Sequence, residues 1–191
     1  MECHCVEARL LQHHHRGHGK RVSSVLGRNH LKKVLSLQEL VPIRERLKAQ
    51  GKTVVLTNGH FDILHVGHVD CLQRAKALGD VLIVGLNSDA STRLLKGGKR
   101  PIVPQEERAQ LVAALQCVDY VIIFEERTAE KLLAALRPEV YVKGGDWAIE
   151  DLPEAKVIAE CGIRVEILPQ MPGRSTTDII KTILARYRRS A

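Results

Sequence analysis

The chain has 191 residues, enough for one domain with a real core, and its 45% hydrophobic and 27% charged residues are ordinary for a globular protein. No apolar run approaches the roughly 18 residues of a membrane helix, so nothing in the sequence spans a membrane. The net charge is +7, but residues 1–33 hold seven Lys/Arg against Glu2 and Glu7, and aromatic residues are only 3%; a basic or stacking surface for nucleic acid on the folded part is therefore not expected.

The segment 1–33 is aperiodic and rich in histidine. It lacks the apolar core of a secretory signal and reads as a disordered leader ahead of one domain over 34–191. Cys3-His4-Cys5 with His13–His15 and His18 is the one arrangement in it that suits a transition metal. The five cysteines (Cys3, Cys5, Cys71, Cys117, Cys161) are odd in number and lack framework spacing, which indicates a reducing, cytoplasmic compartment.

Regular pattern begins at Ser36. Leu37–Gln50 predicts an amphipathic helix, irregular at Pro42 and stopped by Gly51. Val54–Leu56 is a strand apolar on both faces, broken by Thr57-Asn58-Gly59. A loop runs to His68, and a helix follows with Val69, Leu72, Ala75 and Leu78 at three-residue spacing. Val81–Leu86 is the second strand, and Leu94–Arg100 reads as a basic, glycine-bearing loop. Pro104 opens a helix with Glu106 and Glu107 in its first turn. Tyr120–Phe124 is the third strand, and Thr128 is the expected cap of a helix ending near Leu136. Val140–Val142 is the fourth strand, Pro153–Cys161 a helix stopped by Gly162, Arg164–Leu168 the fifth strand, and Ser175–Tyr187 the last helix.

Strands alternating with helices predict an α/β fold, a Rossmann-like five-stranded parallel sheet with helices on both faces. Such sheets bind ligands beyond the C-terminal strand ends. Four chemistry-bearing stretches fall there: Thr57–His68, Asn87–Arg100, Lys143–Trp147 and Pro169–Thr177. In the first, a strand, a turn and a helix start make an anion site; Gly67 lets a phosphate approach, and His65 and His68, three apart, can each donate to its oxygens. An HxxH pair is also compatible with two surface or core histidines, or with zinc if further ligands exist, although no CxxC or HExxH accompanies it. Gly173-Arg174-Ser175-Thr176-Thr177 precedes another helix and repeats the pattern. Lys96 and Lys99 lie where a glycine-bearing loop can close over a negative substrate. Lys143, followed by Gly144, Gly145 and Asp146, suggests a cation near a phosphate. Lys96 is expected to be mobile until ligand arrives, and Arg174 to be held in place beforehand. As a set these pieces suit in-line attack by a phosphate monoester on the α-phosphorus of a nucleoside triphosphate, with Mg²⁺ carried by the triphosphate.

The string Gly59-x-Phe61-Asp62-x-x-His65-x-Gly67-His68, placed just after a strand, resembles the signature of the cytidylyltransferase-like nucleotidyltransferases. From about Leu35 to Leu184 the chain resembles the nucleotidyltransferase domain of bacterial ADP-heptose synthesis, through TNGHFDILHVGHV, LGDVLIVGLNSDAS, LKGGKRP, VKGGDW and GRSTTDII, in that order. The resemblance implies an enzyme joining ATP and D-glycero-β-D-manno-heptose 1-phosphate into ADP-heptose and pyrophosphate. It implies His65, His68 and Lys96 as catalytic, and Asn58, Gly59, His60, Phe61, Gly67, Arg174, Ser175, Thr176 and Thr177 as nucleotide-binding. Asp62, Lys99, Lys143, Gly144 and Asp146 fall to the sugar phosphate, with no metal bound by the protein itself. His60 stands where relatives often carry a small residue or Cys. Glycerol-3-phosphate cytidylyltransferases share GxFDxxHxGH and the STT motif, so those motifs fix reaction class and leave base and acceptor open; VKGGD favours the heptose enzyme. A nucleotide sensor without turnover is the alternative of another class, against which His65, His68, Lys96 and Arg174 all speak. The partners expected are ATP, a sugar 1-phosphate and a second copy in a homodimer. Only the leader precedes the domain, where many relatives carry a sugar kinase, so that step is expected from a separate protein.

Overall fold

A computed structural model describes residues 33–187, and the leader expected over 1–33 lies outside them except for Lys33. Five strands form one sheet in the order β3-β2-β1-β4-β5, with every neighbouring pair parallel. They are β1 (Val54–Gly59), β2 (Val81–Asn87), β3 (Tyr120–Phe124), β4 (Val140–Gly144) and β5 (Arg164–Leu168). The helices are α1 (Leu37–Ala49), α2 (Val66–Lys76), α3 (Asp89–Lys96), α4 (Gln105–Ala113), α5 (Glu130–Leu136), α6 (Ala155–Cys161) and α7 (Thr176–Tyr187), with a short 3₁₀ turn at Ile149–Asp151.

The β1 side chains alternate between two cores, as a strand buried on both faces must. Val54 and Leu56 pack with Leu40 of α1, Leu133 of α5 and Ile158 of α6 on one face. Val55 packs with Leu72 of α2 and Val112 of α4 on the other. The expected α/β architecture with helices on both faces is the one observed. From β1 the chain moves out through β2 to β3, then returns to lay β4 on the far side of β1. The switch point, where the crevice opens, is therefore between β1 and β4.

Several local expectations are corrected. Helix α1 runs on through Pro42, which is exposed, so water solvates the carbonyl that its missing N–H leaves free; Ser36 and Glu39 close the start as a capping box. Helix α2 begins at Val66, with His65 as its cap position, so His68 lies inside the first turn. The segment expected as one loop from Asn87 to Arg100 contains α3, and the loop shrinks to the residues after Lys96. Thr128 does not cap α5: its hydroxyl donates to Glu130 Oε2 (2.7 Å), and Ala129 holds the cap position.

Two buried ionic anchors shape the segments above the sheet. Arg108 of α4 is fully buried and donates to Asp89 Oδ1 (2.7 Å), to the Val103 carbonyl (2.9 Å) and to the His60 carbonyl. Asp62 is equally enclosed; Arg100 donates to its Oδ2, and the N–H groups of Ile102 (2.7 Å) and Val103 (3.0 Å) donate to its Oδ1. Arg108→Leu keeps side-chain bulk but abandons three acceptors, one of them partly wetted. It should cost roughly 1.5–3 kcal/mol, read as a lowered urea midpoint at unchanged slope.

Candidate active site

A cavity of about 840 Å³ opens at the C-terminal edge of the sheet. Its wall draws on the segments after all five strands, including every residue singled out from the sequence except Lys99 and Asp146. Both of those side chains are exposed outside the lining. Asp62 reaches the lining as a residue, but both its carboxylate oxygens are occupied by Arg100, Ile102 and Val103. What it does is hold the Arg100–Val103 strap in place, which corrects its expected contact with substrate.

The loop after β1 is tightly wound. Phe61 has φ +46°, a left-handed conformation that costs a side-chain-bearing residue energy. Its ring covers Gly59 so closely that a Cβ there would stand 3.0 Å from it. That ring also meets His68 at 5.1 Å, and His68 stacks on His65 with centroids 3.8 Å apart and planes 21° from parallel. The two imidazoles thus share one face of the first turn of α2, as their spacing predicted.

Two helix starts meet at this point. A Cβ on Gly67 would lie 3.1 Å from His65 Nδ1 and 3.2 Å from the Arg174 carbonyl, so glycine is what lets α2 abut the segment leading into α7. Ser175 caps α7, its Oγ accepting from the Asp178 N–H (3.1 Å). The N–H groups of Gly67, Thr176 and Thr177 find no acceptor among the described residues. Such groups, with the positive ends of two helices behind them, form a pocket for anionic oxygens.

Electrostatics favour neutral imidazoles here. Burial, and then the neighbouring His65, depress His68 from 6.5 to about 4, and burial lowers His65 as well. His60 also falls to about 4, through burial first and then the charges of Lys96, Arg108 and Arg100; its Nδ1 sits 3.0 Å from Thr92 Oγ1. A neutral imidazole still has one N–H to give, so donation to a phosphate does not require acid. Because the folded value for His68 lies below the ordinary one, the unfolded chain takes up the proton first. The stability His68 contributes is complete above about pH 6.5 and is lost as pH falls toward 4. An NMR titration of the ring resonances should find His68 turning over near 4, two units or more below an exposed histidine.

The cations behave differently from expectation. Lys96 is the last residue of α3, not part of a free loop, and is exposed. Arg174 is exposed too; among the described residues the only hydrogen-bond acceptor of its guanidinium is the Gly173 carbonyl at 3.4 Å, so the side chain is not held in place in advance. Lys143 is engaged by three acceptors: Tyr141 Oη (3.0 Å), Glu154 Oε1 (3.2 Å) and Asn58 Oδ1 (3.4 Å). Arg127 and Thr128, on the segment after β3, line the cavity, as does Trp147, 43% exposed. Arg127 and Thr128 carry no motif that marks them as site residues in the sequence, although the strand-end rule that flags the other segments applies equally to β3; Trp147 closes the flagged Lys143–Trp147 stretch with no role assigned to it.

A parallel sheet with two helix starts and stacked histidines at its switch point makes a site for a phosphate-bearing ligand, and the relatives of the chain give the class: a nucleotidyltransferase. The cytidylyltransferase-like family model matches residues 56–182, and the chain belongs to that family. It is 54% identical over 155 residues to the bifunctional protein HldE of Geobacter sulfurreducens, covering 81% of this chain and 32% of that protein. A crystal structure of a lipopolysaccharide core biosynthesis protein from Thermoplasma volcanium superposes with TM-score 0.52 at 32% identity, over 63% of this chain and 97% of that one. A pantoate-beta-alanine ligase from Francisella tularensis shares the fold (TM-score 0.52) at 15% identity, over 83% of this chain and 79% of that one. The chain spans about a third of the length of the curated relatives it matches. Among the described residues no helix is long and apolar enough to cross a membrane.

Proposed function

We propose that the chain transfers the adenylyl group of ATP to D-glycero-β-D-manno-heptose 1-phosphate, giving ADP-heptose and pyrophosphate. The observation that carries the reaction class is the junction of α2 and α7, where N–H groups without an acceptor among the described residues and the His65–His68 stack face one cavity. In this reading an oxygen of the sugar phosphate bonds to the α-phosphorus of ATP. The bond from that phosphorus to the bridging oxygen breaks, and pyrophosphate leaves with the electron pair. No protein nucleophile is required. Charge neutralisation and alignment supply the catalysis, with His65 and His68 donating as charge builds and Lys96 and Arg174 closing on the phosphates from their exposed positions.

Mg²⁺ travels with the ATP and offsets part of the triphosphate charge. Its ligands would be mainly phosphate and water oxygens, as suits a hard cation that dehydrates reluctantly. The choice of heptose rests on the resemblance carried by VKGGDW, and the choice of ATP on the resemblance of the domain as a whole, since the STT motif leaves base and acceptor open. Comparing kcat/KM for ATP and CTP, each with heptose 1-phosphate and with glycerol 3-phosphate, tests both. ATP with heptose 1-phosphate should lead; a preference for CTP with glycerol 3-phosphate would defeat the acceptor and base assignments while leaving nucleotidyl transfer intact.

A further inference from the structure

Tyr141, Lys143 and Glu154 form a buried chain that ends on Asn58, at the tip of β1. Glu154 is 1% exposed, and its Oε1 accepts from the Ala129 N–H (3.1 Å) and from Lys143 Nζ (3.2 Å). Its Oε2 is buried without a partner, and Lys143 is its only cationic partner among the described residues. Lys143 donates onward to Tyr141 Oη (3.0 Å) and Asn58 Oδ1 (3.4 Å), and Tyr141 Oη lies 2.7 Å from the same Oδ1.

The direction of these bonds is forced. An ammonium can only donate, so the Tyr141 hydroxyl accepts from Lys143 and spends its own proton on Asn58. The Asn58 atom facing both groups must then be the acceptor oxygen, which turns its NH₂ the other way. Asn58 lines the cavity, and Nδ2 has no acceptor among the described residues. Burial, with the nearby Glu154 charge second, pushes the Tyr141 phenol up, so it keeps the proton it must donate.

We propose that Lys143, fixed by Glu154, is a positioning residue that acts through Tyr141 to hold the Asn58 amide with its NH₂ facing the cavity as a donor to a phosphate oxygen. The proposal rests on the adenylyl-transfer reading and assigns Lys143 to orientation in place of direct phosphate contact.

Tyr141→Phe keeps the ring and removes only the hydroxyl, so Asn58 loses its 2.7 Å partner and is held only by the longer 3.4 Å contact with Lys143. The kcat/KM for pyrophosphate release should fall about tenfold, the size of one coupled hydrogen bond. Asn58→Ala should lose roughly 10²-fold, as for one donor to developing charge. The double variant should lose no more than Asn58→Ala alone, because Tyr141 works only through Asn58. A loss in calorimetric ATP affinity assigns the contacted oxygen to ATP, and a loss confined to the acceptor KM assigns it to the sugar phosphate. A wild-type rate in Tyr141→Phe, or losses that multiply in the double variant, would overturn the proposal. The orientation is also read without turnover, from the side-chain amide NMR signals of Asn58, which should shift and broaden in Tyr141→Phe. If the wild-type protein releases pyrophosphate with no sugar 1-phosphate, the substrate reading fails, and the amide signals still decide this one: a pair unmoved by Tyr141→Phe refutes it.

Discussion

His68→Ala should lower the rate of pyrophosphate release by about 10²–10³, the usual consequence of deleting one donor to charge that develops in the transition state. The side chain is neutral at physiological pH, so the loss is that of an N–H and a shaped surface, not of a positive charge. His68 stacks on the His65 ring and meets the Phe61 ring, both of them walls of the cavity, so the unfolding temperature should move by a few degrees at most. His68→Asn, which restores an N–H of shorter reach, should recover part of the rate. Should stability collapse instead, with residual activity tracking the folded fraction, the pair is structural and the site lies elsewhere.

Gly67→Ala is expected to rival that loss through a single methyl group. Its Cβ would meet His65 Nδ1 at 3.1 Å and the Arg174 carbonyl at 3.2 Å, and the second contact is with backbone that cannot swing aside. Helix α2 must retreat from the α7 start, or His65 must leave its stack. Either way two groups that have to act on one triphosphate are separated by a fraction of an ångström or more, and displacements near 1 Å cost about 10²-fold. Alanine is a better helix former than glycine, which offsets part of that strain, so thermal stability should fall only modestly while kcat/KM falls roughly 10²-fold. A variant with wild-type kinetics would show that the two helix starts are not used together.

Much of this arrangement was legible in the sequence because it is written locally. β3 and β5 have the bounds their apolar runs indicate, and the His65-x-x-His68 spacing is enough to place two rings on one helical face. Helix α3 escaped because its pattern is inverted. Its buried face is Ser91 and Thr92, satisfied by Glu126, Asn87 and His60, while Leu94 is 68% exposed. A periodicity rule looks for the opposite. Asp62 and Lys143 read as ligand contacts in the sequence because part of what holds each lies far along the chain. Asp62 is claimed by Arg100 and two N–H groups some 40 residues on, and Lys143 by Asn58 at a separation of 85. The place of Arg174 before a helix reads as rigid, yet rigidity depends on partners that sequence does not display.

The position of β1 between β2 and β4 also bears on how the chain is made. Pairing β1 with β2 closes a short loop, whereas Thr57 Oγ1 reaches the Val142 carbonyl across 85 residues. Loop-closure entropy grows with that span, and nonlocal strand pairing slows folding. During synthesis the β1–β2–β3 half therefore emerges with its β4 edge exposed and waits for the other half. The phosphate pocket is the last feature completed, since the Arg174 carbonyl and the α7 start come from the final stretch of the domain. A nascent chain arrested before residue 173 can hold most of the sheet and yet present half an anion site. A nucleotide held at the finished junction, as proposed, would then act as a latch on complete molecules and leave arrested ones to proteolysis.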